Sequence, residues 1–150
     1  MSRVVKFRGK ALMSVEELDA LDIQHNNGWV FGNLIMDGKN AFVVGCIADV
    51  TDEYIHPEWW VGVDLETVGQ FTGLKDKNGV EIYEGDVLKI PDLYETPENT
   101  HATYHNETVY FEQGAFRTVN GKLDEDWDYL SEESEVIGNI YENPELLEVA

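Results

Sequence analysis

A chain of 150 residues with 43% hydrophobic and 11% aromatic content can bury a core as one domain or as two small lobes, and it is too rich in aromatics to be disordered. Thirty acids against ten bases give a formal net charge of -20, and residues 92–150 alone hold 15 acids against 2 bases. Such a field repels a phosphate backbone, so direct nucleic-acid binding is not expected, whereas encounter with a basic partner is favoured.

The frequent Tyr, Phe, Trp, Val and Ile suit pleated surfaces and lean the composition toward strands. In chain order, Arg3 to Arg8 reads as a short strand ending at Gly9, and the basic set Arg3, Lys6, Arg8 and Lys10 reads as its solvent face. Ser14-Val15-Glu16-Glu17 is a capping box, with Leu18 and Leu21 behind it, which predicts a helix of about two turns over residues 15–21. Asp37-Gly38 then predicts a hairpin pairing Val30–Met36 with Asn40–Ile47 antiparallel. Cys46, the only cysteine, closes the apolar run Phe42 to Ile47 and is expected to be a small buried hydrophobe, with no disulfide available to it. Pro57 excludes a central strand around residues 53–60.

Asn78-Gly79 and Glu84-Gly85-Asp86 are turn signals before the strands Val80–Tyr83 and Val87–Ile90. Residues 91–101 read as an exposed loop. Further strands are expected at Thr103-Tyr104, Thr108–Glu112, Ala115–Val119 and Ser134–Ile140, with an acidic connection over 123–133. Pro144 suits the first position of a terminal helical turn, which Asn143 is placed to cap. Short antiparallel strands and one short N-terminal helix make a mainly β fold, with α+β as the variant. There is no leading charged-then-apolar segment and no apolar run of bilayer length, so a cytoplasmic location without membrane contact is expected.

Chemistry-bearing patterns are thin. Asp124, Asp126, Asp128 and Glu135 have the spacing of a calcium loop, but Tyr129 stands where the sharp turn needs Gly, and a strand follows. His101 and His105 share a strand face without a third ligand, Glu107 being read as offset by one face, so no metal site is expected. Neither a nucleophile motif nor a phosphate loop is present, and no cofactor is expected. Among the aromatics Trp29, Tyr54, Trp59 and Trp60, the adjacent Trp59 and Trp60 point to opposite faces of a strand. One of the two is therefore expected at a surface or in an interface.

Two segments go beyond this reading. Val68-Gly69-Gln70-Phe71-Thr72-Gly73-Leu74-Lys75-Asp76-Lys77-Asn78-Gly79-Val80-Glu81-Ile82-Tyr83-Glu84-Gly85-Asp86-Val87 and Glu135-Val136-Ile137-Gly138-Asn139-Ile140-Tyr141-Glu142-Asn143-Pro144-Glu145-Leu146-Leu147 resemble the hallmark segments of the YopX family of phage and prophage proteins, and Lys6-Phe7-Arg8-Gly9 resembles its opening. The resemblance implies one YopX-like domain over 1–150 with a small SH3-like barrel in the C-terminal part, while the chain length leaves a division into lobes 1–68 and 69–150 open. It places the protein in the cytoplasm of a bacterial host and brings no catalytic residue. Read physically, these motifs consist of turn glycines and core residues: Gly73, Gly79 and Gly85, with Leu74, Ile82, Tyr83 and Val87.

The expectation is an accessory protein that acts by binding, its partner a basic, nucleic-acid-processing host or phage protein. In the boldest form its carboxylates mimic phosphates from rigid strands. The alternatives are a homo-oligomeric structural component with Trp59 or Trp60 in the contact, and a small enzyme whose site is assembled from distant residues.

Overall fold

The computed structural model describes residues 4–91, 104–112, 115–118, 121–122 and 133–147. Chain contacts divide it into two units, Met1–Phe71 and Thr72–Ala150. Among the described residues the fold is mostly antiparallel β, and no helix is long and apolar enough to cross a membrane.

In the first unit, β1 (Phe7–Lys10) is followed by α1 (Val15–Ala20). Ser14 caps α1 as the sequence predicts: its Oγ accepts the Glu17 N–H at 3.2 Å, and its hydroxyl faces the Glu17 carboxylate at 3.3 Å. Leu18, on the inner side of this helix, is fully buried. β2 (Trp29–Asp37) and β3 (Asn40–Val44) form the expected hairpin, with Asp37 opposite Asn40. Gly38 takes a positive φ of 60° as the first of two loop residues, so the turn follows the II′ pattern.

After β3 the chain leaves the sheet as a two-stranded ribbon, β4 (Ile47–Val50) with β5 (Ile55–Pro57), and returns as β6 (Trp60–Val63). Pro57 thus lies at an edge. Pairing runs β6–β3–β2–β1. The far side of β6 then meets the chain just after β1: Ala11 bridges Val63, Leu12 N–H donates to the Gly62 carbonyl at 2.9 Å, and Asp64 N–H to the Lys10 carbonyl at 2.9 Å. The sheet so wound encloses Leu18, Ile23, Val30, Ala41, Val43, Val61 and Val63. Gly9 is not the end of β1 but lies within it, because Val63 crosses so closely that a Cβ at Gly9 would stand 2.8 Å from the valine side chain. The start of β7 (Gly69–Lys75) pairs with β1, Gln70 opposite Phe7.

In the second unit, β8 (Glu81–Tyr83) neighbours β7. β9 (Asp86–Pro91) pairs with β10 (Tyr104–Thr108) on one side and β14 (Glu135–Asn139) on the other. β11 (Tyr110–Glu112), β12 (Ala115–Thr118) and β13 (Gly121–Lys122) form a second three-stranded sheet. Among the described residues these are open sheets around Ile82, Leu88, Ile90, Val109 and Phe116, and no closed barrel is made by their pairing. A 3₁₀ turn, Pro144–Leu147, ends the described chain with Pro144 in first position. Its cap differs from expectation. Asn143 Oδ1 turns back to the Asn139 N–H at 3.4 Å, while Asn139 Oδ1 accepts from Tyr141 and Glu142, each at 3.0 Å.

Candidate functional site

The ribbon β4–β5 is an arm whose residues are almost all exposed. Val50 and Ile55 stand opposite each other near its tip, 65% and 64% exposed, and Tyr54 beside them is 54% exposed. Thr51 holds the tip. Its main-chain N–H donates to the Tyr54 carbonyl at 2.9 Å, and its Oγ1 accepts from Glu53 and Tyr54 N–H at 3.2 and 3.1 Å. A lone hairpin is marginal in water, so this locked turn does much to keep the arm formed. Between Lys39 and Lys75 the chain has no Lys or Arg but six acids, and Asp49, Asp52, Glu53 and Glu58 belong to the arm or flank it.

The two adjacent tryptophans divide as alternation requires. Trp60 is 59% exposed at the start of β6. On that outer sheet face it stands opposite Val44, and the next row pairs exposed Ile35 with Phe42 and Phe42 with Gly62. Trp59 is half-buried against the core, its indole lying on Gly45 so closely that a Cβ there would collide with the ring.

Trp59 and Gly45 also wall a cleft of about 560 Å³, together with Phe31, Gln24, Asn26, Asn33, Lys6, His25, Cys46 and Glu58. His25 anchors the loop at its rim. Its Nδ1 accepts the Gly28 N–H at 3.1 Å, which leaves the proton on Nε2, and this donates to Asp19 Oδ1 at 2.7 Å. Both ring nitrogens are engaged, so His25 offers neither a general base nor a ligand to the cleft.

Three expectations are corrected here. Cys46 is exposed: β3 ends at Val44, and residues 45–46 form the root of the arm, where Gly45 N–H donates to the Trp59 carbonyl and Glu58 N–H to that of Cys46. Nor does β1 turn Arg8 to solvent. Arg8 is only 7% exposed, its guanidinium carbon 4.9 Å from the Trp29 ring centroid, because β1 lies between β2 and β7 and guanidinium stacks well on an aromatic face. Lys10 Nζ lies 5.8 Å from the same centroid, and Lys6 Nζ 5.3 Å from that of Phe71. Finally, Glu107 shares a face with His105, being two residues along β10, and the two pair at 2.5 Å. Arg3, the loop 92–101 with His101, and Asp124, Asp126 and Asp128 lie outside the described residues. Among those described, no cluster of three or more His, Cys, Asp or Glu is placed to hold a metal.

The sequence motifs are structural in their geometry. Gly73, Gly79 and Gly85 all have positive φ, and Ile82, Tyr83 and Val87 are buried. Asp76, buried in the first motif, accepts Asn78 and Val80 N–H on Oδ1, each at 2.9 Å, and Val136 N–H from the second motif on Oδ2 at 2.8 Å.

No curated protein matches the chain significantly. Its structure is similar to the crystal structure of protein EF1440 from Enterococcus faecalis, with a TM-score of 0.55 and 25% identity, over 98% of this chain and all of that one. The family model described as YopX protein matches residues 6–148. With both hallmark segments inside that span, and their turn and core residues folded as such, the chain belongs to the YopX family.

Proposed function

We propose that the protein is a phage or prophage accessory protein of the bacterial cytoplasm that works by binding a basic protein through the β4–β5 arm. One observation carries this reading: a preorganised tip exposes Val50, Tyr54 and Ile55 in a stretch that holds acids and no Lys or Arg. An apolar anchor with an aromatic neighbour and a charged rim is the anatomy of a binding hot spot. The turn held by Thr51 reduces the ordering cost of docking. The acids fit a partner with an apolar groove rimmed by Lys and Arg, as nucleic-acid-processing proteins present. Trp60 and the outer row Ile35–Phe42 offer a second apolar surface in the same unit.

The test is capture from host lysate with tagged wild-type protein and with the double variant V50S/I55S, at low and at high salt. The expected result is a basic protein retained by the wild type, lost with the variant, released by salt, and bound again when both partners are purified. Identical retention by wild type and variant, or none, overturns the proposal. If sedimentation instead shows a stable multimer that Trp60→Ser or V50S/I55S dissociates, the surface serves self-association.

A further inference from the structure

We infer that the basic partner meets the arm as a folded domain with a preformed apolar groove, not as an extended basic tail, and that one face of the ribbon docks while its edges stay free. The inference rests on the reading proposed above and adds the kind of partner. A flexible Lys- and Arg-rich tail would bind a ribbon by adding a strand to one edge. The edges of this ribbon oppose such addition. Thr51 N–H donates to the Tyr54 carbonyl at 2.9 Å, so these two face each other across the ladder, and alternation turns the main-chain groups of Val50 and Ile55 outward. On the β5 edge the next outward residue is Pro57, which has no N–H to give. On the β4 edge the register shifts between Ile47 and Asp49. Ala48 is the extra residue of a bulge there, and it breaks the even spacing that a new strand needs. With β4 four residues long and β5 three, both edges are also short.

The same bulge builds a face. Ile55 and Pro57 are two apart and share one side of β5. Val50 stands opposite Ile55 and Ile47 opposite Pro57, so Val50 and Ile47 share that side although they are three apart in sequence. Ile47 is 44% exposed and extends the apolar surface of Val50 and Ile55 toward the root of the arm. Asp49 and His56 stand opposite each other on the other side. The arm thus sorts its apolar and charged side chains by face. A Lys- and Arg-rich tail would satisfy the acids and leave the three apolar side chains in water. An apolar groove with Lys or Arg at its rim covers all three and meets Asp49, Asp52 and Glu53 beyond them.

The test uses the basic protein purified from the capture, with its binding to the full chain measured by calorimetry. Two swaps keep composition and charge: D49V/V50D on β4 and I55H/H56I on β5. Each moves one apolar side chain to the opposite face and should weaken binding about tenfold or more, as should Ile47→Ser. His56→Ala, on the other face, should bind as wild type does. Thermal unfolding should hardly move in any of these, because the changes lie on exposed positions of the arm. The partner trimmed of its tails by limited proteolysis should bind as the intact protein does, and a short synthetic peptide of alternating Lys and Val should not displace it. If both swaps bind as wild type while V50S/I55S still loses the partner, the one-face inference falls and the arm reading stands. Loss of binding on trimming, or displacement by the peptide, also overturns the inference, in favour of a tail. Capture of no basic protein, or capture indifferent to V50S/I55S, overturns the arm reading and this inference with it.

Discussion

Asp76 and Val136 are joined across sixty residues of chain by a hydrogen bond of 2.8 Å from the Val136 N–H to the buried Asp76 carboxylate. The other carboxylate oxygen closes the Asn78-Gly79 turn, so a single side chain ties the two family motifs together. Removing it leaves three backbone donors without their acceptor. Asp76→Ala should cost roughly 3 kcal/mol, seen as a lower urea midpoint, since each orphaned donor costs about 1–3 kcal/mol. Asp76→Asn should fall between wild type and Ala, because a carboxamide has one acceptor oxygen for two sets of donors. Hydrogen exchange at Val136 should speed up in both. A wild-type midpoint in Asp76→Ala would show that the bond carries no stability.

The contact of Trp59 with Gly45 predicts an asymmetric response to small changes. Gly45→Ala adds one methyl where the indole already lies, so it should destabilise by about 1–3 kcal/mol through overpacking. Gly38→Ala meets no neighbour, and its cost should come only from the positive φ, roughly 1 kcal/mol. Thermal unfolding of the two variants side by side checks the order, and the tryptophan emission of Gly45→Ala should shift as the ring is displaced.

Thr51 separates binding from folding. Its hydroxyl organises an exposed tip that encloses no core residue. Thr51→Val should therefore change stability by less than about 1 kcal/mol while weakening capture of the basic partner, and Thr51→Ser should restore it. Equal loss in Val and Ser variants would assign the effect to something other than the turn.

Arg8 on Trp29 is a stacked pair, not a charge in water. Arg8→Ala should destabilise by about 2 kcal/mol, and Arg8→Lys should recover only part, because an ammonium lacks the flat face and fork of guanidinium. The loss should persist in high salt, where an exposed ion pair would already be screened.

Much of the local architecture was legible in the residues. The Ser14 cap, the hairpin at Asp37–Asn40, the turns at Gly79 and Gly85, the edge position of Pro57 and the 3₁₀ start at Pro144 all stand where the sequence places them. Each depends on dihedral preferences and hydrogen bonds within a few residues. The candidate site was half legible. Alternation along a strand required Trp59 and Trp60 to part company, but it did not say which one would face outward. The pairing of His105 with Glu107 follows from the same parity, the two lying two residues apart along β10.

Burial was decided elsewhere. Val50 and Ile55 are exposed, whereas Val61 and Val63, β-branched like them, are buried. Cys46 lies outside and Arg8 inside, against the hydrophobicity of each. By itself the sequence determined the family, the mainly antiparallel β class, the caps and the turns, because these follow from short-range sterics and hydrogen bonding. Only the tertiary structure decided which apolar faces are covered, because coverage depends on which distant strand packs over a face. Among the described residues the β6 edge meets residues 11–12 and is shielded there, whereas the β4–β5 ribbon pairs with no further strand, and the exposed arm follows from that difference.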